Sequence, residues 1–582
     1  MAGAETRIAA IEAARNAGDF DRAERLCRQA LRQFRDNTAL VALGVSLAIA
    51  RRDWPRARAL LGRAVRLLPD TAGPWRDLGV VLLALGENAE AANALDRAVS
   101  IEPEAPMARL NLALARRRAG DFGGAEAALA DLVALDPDFA RGWNNLGTLR
   151  LAMGDIPGAV AALDRAAALP DASPRVASNR LLAATYRDDL DDAALFAAHR
   201  DWGAAFAATD TTPAPPRTAR AAGARLRVGL LSPDLRRHSV AFFVEPLLRA
   251  WPRARLEAFA YADVTRPDAT TARIEALAEH WRPVAGLDND ALTQAIRDDG
   301  IDILIDLAGH TWGERVAVFA GRAAPLQLTW LGYPHSTGLP QMDFRLVDAV
   351  TDPRDYAAAL STERLLRLPG CFLCYAPPDE APAIAPPAAR DGIVFGSFNN
   401  IAKLGEATLA LWARVLAAVP DSRLLLKAQS LDDATVRDRL TARFAAHGVA
   451  AGRLDLRGRV DSLAGHFATY NEVDIALDTT PYCGTTTSCE ALWMGVPVIT
   501  LAGRRHAARV GASLLHHAGL PDLVAATADE FVAIAAGLAT DAPRRAGLRT
   551  TMRDRLAGSP LMDTGAFATG FADTLAAAWA AP

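Results

Sequence analysis

Lysine is almost missing from this chain of 582 residues: of its 64 basic residues only Lys403 and Lys427 are lysines. Cysteine is also scarce. Cys27, Cys371, Cys374, Cys483 and Cys489 are too few and too scattered for a disulfide framework, and the cytoplasm is the expected compartment. No apolar run approaches the roughly 18 residues that cross a bilayer. The first twenty residues read as a charged, amphipathic segment, and no signal peptide is expected there. A formal charge of −4 excludes a general binder of nucleic acid or of an anionic membrane surface. Cys371 and Cys374 have the spacing of a redox or half-zinc motif. With no second pair and no histidine at ligand spacing, they read as structural.

What is present is ample apolar material, 51% hydrophobic against 23% charged residues, in a chain long enough for three to four domains. Where an arginine bias spares a lysine, a compact ammonium does something a rigid guanidinium fork does not. Gripping a phosphate as a point charge is one such task. Lys403 lies in FGSFNNIAKL and Lys427 only 24 residues further on, so the pair marks one stretch as the seat of chemistry.

The first third is a repeat. Gly-Asp/Glu-x-x-x-Ala recurs at Gly18, Gly86, Gly120 and Gly154, and Arg52-Asp53…Ala57 and Asp188-Asp189…Ala193 fill the other frames at a spacing of 34. Pro69, Pro103 and Pro137 keep the same period, each closing a helix. A fixed 34-residue period is the tetratricopeptide signature, which an ordinary helical bundle does not produce. Asp77, Asn111, Asn145 and Asn179 form a polar column at that period, on the first helices of successive repeats. Asn offers a donor and an acceptor, so such a ladder can hold an extended acceptor peptide whatever its sequence. Helix packing or a solvated face is the plainer alternative for the same column.

Residues 210–217 read as a linker. Strand–helix alternation follows, with apolar strands expected at 227–232, 301–307 and 326–331, the first ending in the polar SPDLRRHSVAFF and the other two in the Gly-containing AGHT and GYP. The Pro-rich stretch 376–390 divides the body. A second run places strands at 392–398, 423–427, 473–477 and 496–501, and a final helix over 564–580 that can pack back across both lobes. Continuous apolar strands fit doubly wound parallel sheets, whose ligands bind at the strands' carboxyl ends. The expected fold is a tetratricopeptide superhelix over 1–209, a linker at 210–224, and two Rossmann-like α/β lobes at 225–385 and 386–582. A cleft between such lobes is the layout of a nucleotide-sugar transferase.

Within PYCGTTTSCEALWMGVP, Gly484 allows a tight turn and Thr485, Thr486 and Thr487 open a helix. A helix N-terminus with hydroxyls is an anion site, and three threonines exceed what capping needs. Glu490, one turn in, can accept from ribose hydroxyls or merely suit the helix dipole. His238, with Asp234 four residues earlier, sits at the carboxyl end of the first strand and so in the expected cleft. His466 can stack on a base or be a surface residue. No DxD-type motif stands at a strand end, so no metal and no other cofactor is expected.

SPDLRRHSVAFF, DILIDLAGHT, LTWLGYPHSTGLP, LPGCFLCY, FGSFNNIAKL and PYCGTTTSCEALWMGVP together resemble the protein O-GlcNAc transferase and SPINDLY family: tetratricopeptide repeats joined to a GT-B transferase. Several of these blocks are nearer to the SPINDLY branch, which is a protein O-fucosyltransferase branch. The resemblance implies inverting, metal-independent transfer of a sugar to a Ser or Thr hydroxyl of a protein. It makes Lys403 the grip on the donor's diphosphate and His238 the histidine of the sugar pocket, once regarded as the base. It gives Thr486 and Thr487 to phosphate, His466 to the base, Glu490 to the ribose in place of an Asp, and Thr311 to the sugar. Thr485 stands where the O-GlcNAc branch has His, Asn400 where it has a donor-contacting Gln, and Lys427 matches only a basic position. GDP-fucose and UDP-GlcNAc both remain as donors. Alternatives are a flagellin glycosyltransferase using another activated sugar and a non-catalytic repeat scaffold. The outer repeat face is either solvent-exposed or a homodimer surface.

Overall fold

Small residues at a fixed interval shape the first part of the chain. The computed structural model describes residues 2–207, 213, 215–217, 223–385 and 392–581. Most of the expected linker 210–224, and residues 386–390 of the Pro-rich divider, lie outside that set. Twelve α-helices occur among the described residues up to 207, pairing from Ala2–Asn16 and Phe20–Gln33 to Pro174–Thr185 and Asp192–Ala207. Ala23, Ala57, Ala91 and Ala125 are all fully buried, and lacking a long side chain they let paired helices approach. Gly18, Gly86 and Gly120 turn the chain with φ of +77°, +83° and +91°, and in one of the two frames without glycine Arg52 takes the same region at +56°. Asp19, Asp53 and Asp121 then cap the helices they precede, each accepting from the backbone N–H three residues on.

Two compact units result: residues 1–153, 161–172 and 432–436 form one, and 154–160, 173–431 and 437–582 the other. The last helix pair belongs to the second unit through buried polar contacts. Ser178 Oγ meets His310 Nδ1 at 3.0 Å, and Tyr333 donates its hydroxyl to His199 Nε2 at 2.6 Å. Burial pulls His199 down to about 3 and His310 to about 4, so both rings are neutral at pH 7.

The second unit holds two parallel sheets. The first comprises β1 (Leu226–Ser232), β2 (Leu256–Ala262), β3 (His280–Pro283), β4 (Ile303–Asp306), β5 (Leu326–Thr329), β6 (Phe344–Val347) and β7 (Arg364–Arg367), in the order 3-2-1-4-5-6-7. The second comprises β8 (Val394–Ser397), β9 (Arg423–Lys427), β10 (Leu454–Arg457), β11 (Ile475–Leu477), β12 (Val498–Leu501) and β13 (Val524–Ala525), in the order 10-9-8-11-12-13. Central strands such as β4, β5, β6 and β8 are buried along their whole length, as parallel strands covered on both faces must be. Each sheet reverses its order once, between β1 and β4 and between β8 and β11. A crevice opens at the carboxyl ends of the strands at such a reversal.

Across the lobes, Ser513 donates to Asp348 at 2.5 Å and Arg509 to the Val350 carbonyl at 2.7 Å. The helix Thr564–Ala580 reaches back as its apolar face requires: Phe571 packs against Trp251 and Trp330 of the first lobe. No helix among the described residues is long and apolar enough to cross a membrane.

The loops after β4 and β5 interlock with no room for a side chain. A Cβ at Gly332 would lie 1.8 Å from the Leu307 carbonyl oxygen, and one at Gly309 2.2 Å from Tyr333 Cβ. Gly332→Ala therefore destabilises the protein by about 2 kcal/mol or more. Gly547→Ala, a helix position with nothing within 4 Å, is neutral or stabilising by up to about 1 kcal/mol. Urea unfolding midpoints separate the two outcomes.

Candidate functional site

The loops leaving β8 and β11, the two strands at the second sheet's reversal, build the charged part of the site. After β8, Asn400 accepts from the Ala402 N–H at 3.1 Å and curls Ile401–Lys403 into a single 3₁₀ turn. This throws the Lys403 ammonium towards the loop after β11. There Nζ donates to the Cys483 carbonyl at 2.7 Å and lies 4.2 Å from the centre of the Tyr482 ring. Burial lowers Lys403 to about 8, against the opposing field of Asp478. The side chain is half-buried and remains mostly protonated at pH 7. One of its three N–H groups is used, and two are left for a ligand among the described residues.

Asp478 shapes the loop that receives it. Its buried carboxylate accepts from the Thr479 and Gly484 N–H groups at 2.9 and 2.6 Å and from the Thr500 hydroxyl at 2.8 Å. A Cβ on Gly484 would sit 2.5 Å from Ser488 Oγ and 2.8 Å from Thr487 Oγ1, so a larger residue there would displace the hydroxyls at the start of the next helix. The helix Thr486–Trp493 follows, and its N-cap residue Thr485 makes no side-chain capping bond. The first-turn N–H groups are thus not consumed by that cap. Thr487 donates to Asn399 Oδ1 at 3.0 Å and ties the two loops together.

Behind them runs a polar chain. Lys427, the last residue of β9, donates to His466 Nδ1, His466 Nε2 donates to Glu490 at 2.9 Å, and Tyr470 donates to the same carboxylate oxygen at 3.1 Å. These partners place the His466 proton on Nε2. Lys427 Nζ also lies 4.7 Å from the centre of the Phe398 ring, and burial lowers it to about 8 against the pull of Glu490. His466 is therefore a fixed ring rather than a loose surface residue, and one oxygen of Glu490 is already engaged.

In the first lobe His238 and Thr311 follow β1 and β4, the strands at that sheet's reversal. His238 Nδ1 lies 3.5 Å from Asp234 and receives the Val240 N–H at 3.4 Å. Burial, aided by Arg236, holds His238 down to about 4, while burial raises Asp234 to about 6. A neutral imidazole of such low basicity suits hydrogen bonding better than proton abstraction. Thr311 Oγ1 donates to the Ala308 carbonyl at 2.7 Å, in a loop pinned by Asp306.

The structure thus brings Lys403, Asn400, Thr485, Thr486 and Thr487 into one pair of loops, and Lys427, His466 and Glu490 into one network. Asn400 is exposed, and its side chain is occupied by its own turn. Its neighbour Asn399, not singled out in the sequence, is buried and makes the link to Thr487. Nothing local in the sequence marks Asp478 and Tyr482, 75 and 79 residues after Lys403, or Tyr470, 43 residues after Lys427, as parts of a lysine's surroundings. One further difference concerns Cys371. No histidine stands at ligand spacing in sequence, yet His517 comes from across the fold, and its ligand atom with those of Cys371 and Asp348 falls within 4.8 Å. Asp348 already accepts from Val350, Thr351, Phe372 and Ser513, and burial keeps the Cys371 thiol protonated.

Of the repeat column, Asp77, Asn111 and Asn145 are half-buried on the first helices of their pairs in the first unit. Asp77 is paired with Arg76 at 3.1 Å, and Asn145 donates to the Arg141 carbonyl at 2.7 Å. Asn179 lies on Pro174–Thr185, in the second unit.

The sequence pattern of glycosyl transferase family 41 matches residues 211–375 and 387–571, and tetratricopeptide patterns match 8–72, 46–116 and 110–177. The chain belongs to glycosyl transferase family 41. It is 40% identical over 423 residues to an Arabidopsis thaliana protein named probable UDP-N-acetylglucosamine–peptide N-acetylglucosaminyltransferase SPINDLY, covering 70% of this chain and 45% of the relative. A Caenorhabditis elegans UDP-N-acetylglucosamine–peptide N-acetylglucosaminyltransferase is 26% identical over 478 residues, covering 61% of this chain and 41% of its own length. The chain therefore spans less than half the length of these relatives. A mutant of the Thermobaculum terrenum O-GlcNAc transferase matches in structure with a TM-score of 0.82 and 36% identity, over 87% of this chain and 97% of that one. The resemblance seen in the motifs and the expected two-part architecture are both borne out.

The depressed titration of Lys403 has a signed consequence. An unfolded lysine titrates near 10.5, so between about 8 and 10.5 the unfolded chain holds the proton more tightly and stability rises with pH. Below about 8 the cost is fully present. Lys403→Met is accordingly more stable than the wild type at pH 7, by about 1–2 kcal/mol once partial exposure is discounted, and the gap narrows towards pH 10. Urea midpoints of both proteins at pH 7 and pH 10 check this; a less stable variant at pH 7 contradicts it.

Proposed function

We propose that this family 41 protein transfers a sugar from a nucleotide-diphosphate donor to a Ser or Thr hydroxyl of a protein, with inversion and without a metal. The observation that carries the reading is the Lys403 ammonium, bonded to the carbonyl of Cys483, two residues before an N-cap that leaves the helix Thr486–Trp493 without a side-chain cap. Departure of a nucleoside diphosphate builds negative charge on its β-phosphate. A desolvated ammonium and a helix N-terminus neutralise that charge where water would otherwise have to reorganise. In this scheme Thr486 adds a hydroxyl donor to the phosphates, and Thr487, whose hydroxyl is given to Asn399, offers them its backbone N–H in the first turn. The Lys427–His466–Glu490 chain presents a fixed imidazole to the base and the second Glu490 oxygen to the ribose. Thr311 and neutral His238 line the sugar, and the acceptor oxygen attacks from the face opposite the diphosphate.

UDP-GlcNAc is the donor that the names of the relatives support. GDP-fucose is the second reading, favoured by Thr485 in the place where the O-GlcNAc branch has His. The repeats of the first unit would hold the acceptor as an extended segment along Asp77, Asn111 and Asn145, where amide side chains can bond peptide groups irrespective of sequence.

Purified protein, co-expressed candidate acceptors and each donor in turn, read by mass spectrometry, give the test. An acceptor gains one N-acetylhexosamine with UDP-GlcNAc or one deoxyhexose with GDP-fucose. Lys403→Ala lowers the rate by about 100-fold or more while the protein stays folded. Undiminished transfer by that variant removes the reading. Absence of nucleotide binding by the wild type points instead to a scaffold.

A further inference from the structure

The turn that joins the last two repeat helices, Pro174–Thr185 and Asp192–Ala207, touches the donor lysine's surroundings from three directions. Tyr186, the residue after the first of these helices, is buried and stacks on Tyr482, with ring centres 5.0 Å apart and planes 13° apart. Tyr482 is the ring whose centre lies 4.2 Å from Lys403 Nζ. Asp188 accepts from the Ala407 N–H at 2.7 Å, in the first turn of the helix Glu406–Ala418 that follows Lys403. Arg505 clasps the same turn, donating to the Leu190 carbonyl at 2.8 Å.

We propose that this turn is a positioning element of the donor site: Tyr186 holds Lys403 in place through Tyr482, and Asp188 anchors the helix that starts behind it. Neither residue touches the donor. The attraction between an ammonium and an aromatic face depends on where the ring lies, and grows when water is excluded. A second buried ring stacked on Tyr482 supplies both conditions. Asp188 acts on the backbone, since its carboxylate caps the Ala407 N–H of the helix whose Thr408 hydroxyl donates to the Lys403 carbonyl at 3.4 Å. A tyrosine in a tetratricopeptide frame otherwise reads as helix packing. Here its aromatic partner belongs to the loop that opens the phosphate helix.

The proposal rests on Lys403 serving the donor, and the test keeps the two apart. The chain has two lysines, so selective ¹³C labelling at lysine Cε gives two titrating signals, and Lys427→Arg assigns them. In the wild type Lys403 titrates near 8. Tyr186→Leu opens the packing over Tyr482 to water, and relief of that burial is expected to move the midpoint up towards ordinary lysine. The misplaced ammonium then weakens UDP or GDP binding, by calorimetry, about 10-fold. Tyr186→Phe, which keeps the ring, retains both values. Asp188→Ala, at an exposed position, loses binding about 3-fold and covers the case in which Tyr186→Leu does not fold. Wild-type titration and wild-type nucleotide affinity in Tyr186→Leu, or in Asp188→Ala if only that variant folds, overturn the proposal. A shifted Lys403 titration in a protein that binds neither nucleotide supports the positioning role and instead rejects the donor reading.

Discussion

A partly dehydrated ammonium, held at the carboxyl edge of a parallel sheet, is the constraint around which the second lobe is arranged. Among the described residues Lys403 makes one hydrogen bond, to Cys483, and it faces the ring of Tyr482, and burial has brought its titration down to about 8. A lone lysine so placed costs stability, because water is a better partner than one carbonyl and one ring. Much of the local architecture serves to keep it there. Asp478 sets the loop that carries Cys483 and Gly484, Asn400 folds the turn that carries the lysine, and Thr487 with Asn399 holds the two loops in register. Sites that bind developing charge are often the places where a fold gives up stability.

The same logic explains why both lobes place their polar residues where they do. A doubly wound sheet opens a crevice only where strand order reverses. In the first sheet that point lies between β1 and β4, whose following loops bear His238 and Thr311. In the second it lies between β8 and β11, whose loops bear Lys403 and the threonines. Four residue groups that lie far apart in the chain therefore fall two to a sheet, each pair at that sheet's reversal, because topology allows few other places for them.

The fold was largely legible. A 34-residue period, apolar strands and a final amphipathic helix carry their own signals, and the helix Thr564–Ala580 falls on the residues expected for it. Strands such as β3, with no buried residue, and two-residue β13 carry too little periodicity to be read. In the site, residue types with unusual composition or local pattern stood out: two lysines among arginines, three threonines before a helix. Residues that matter through long-range packing did not. Asn399 and Asn400 look alike in sequence, and only the backbone turn decides that Asn400 caps itself while Asn399 reaches Thr487. Tyr186 lies almost 300 residues before the ring it stacks on, and no periodicity links them.

The central claim is that Lys403 and the start of the helix Thr486–Trp493 hold a diphosphate. Comparing the affinity of nucleoside monophosphate with that of the matching diphosphate, in wild type and in Lys403→Met, addresses it without any acceptor. The base and ribose contacts are common to both ligands, so their ratio isolates the second phosphate. The wild type should prefer the diphosphate by at least about 10-fold, and the variant should lose most of that preference while binding the monophosphate as before. A diphosphate preference that survives the substitution unchanged would contradict the account.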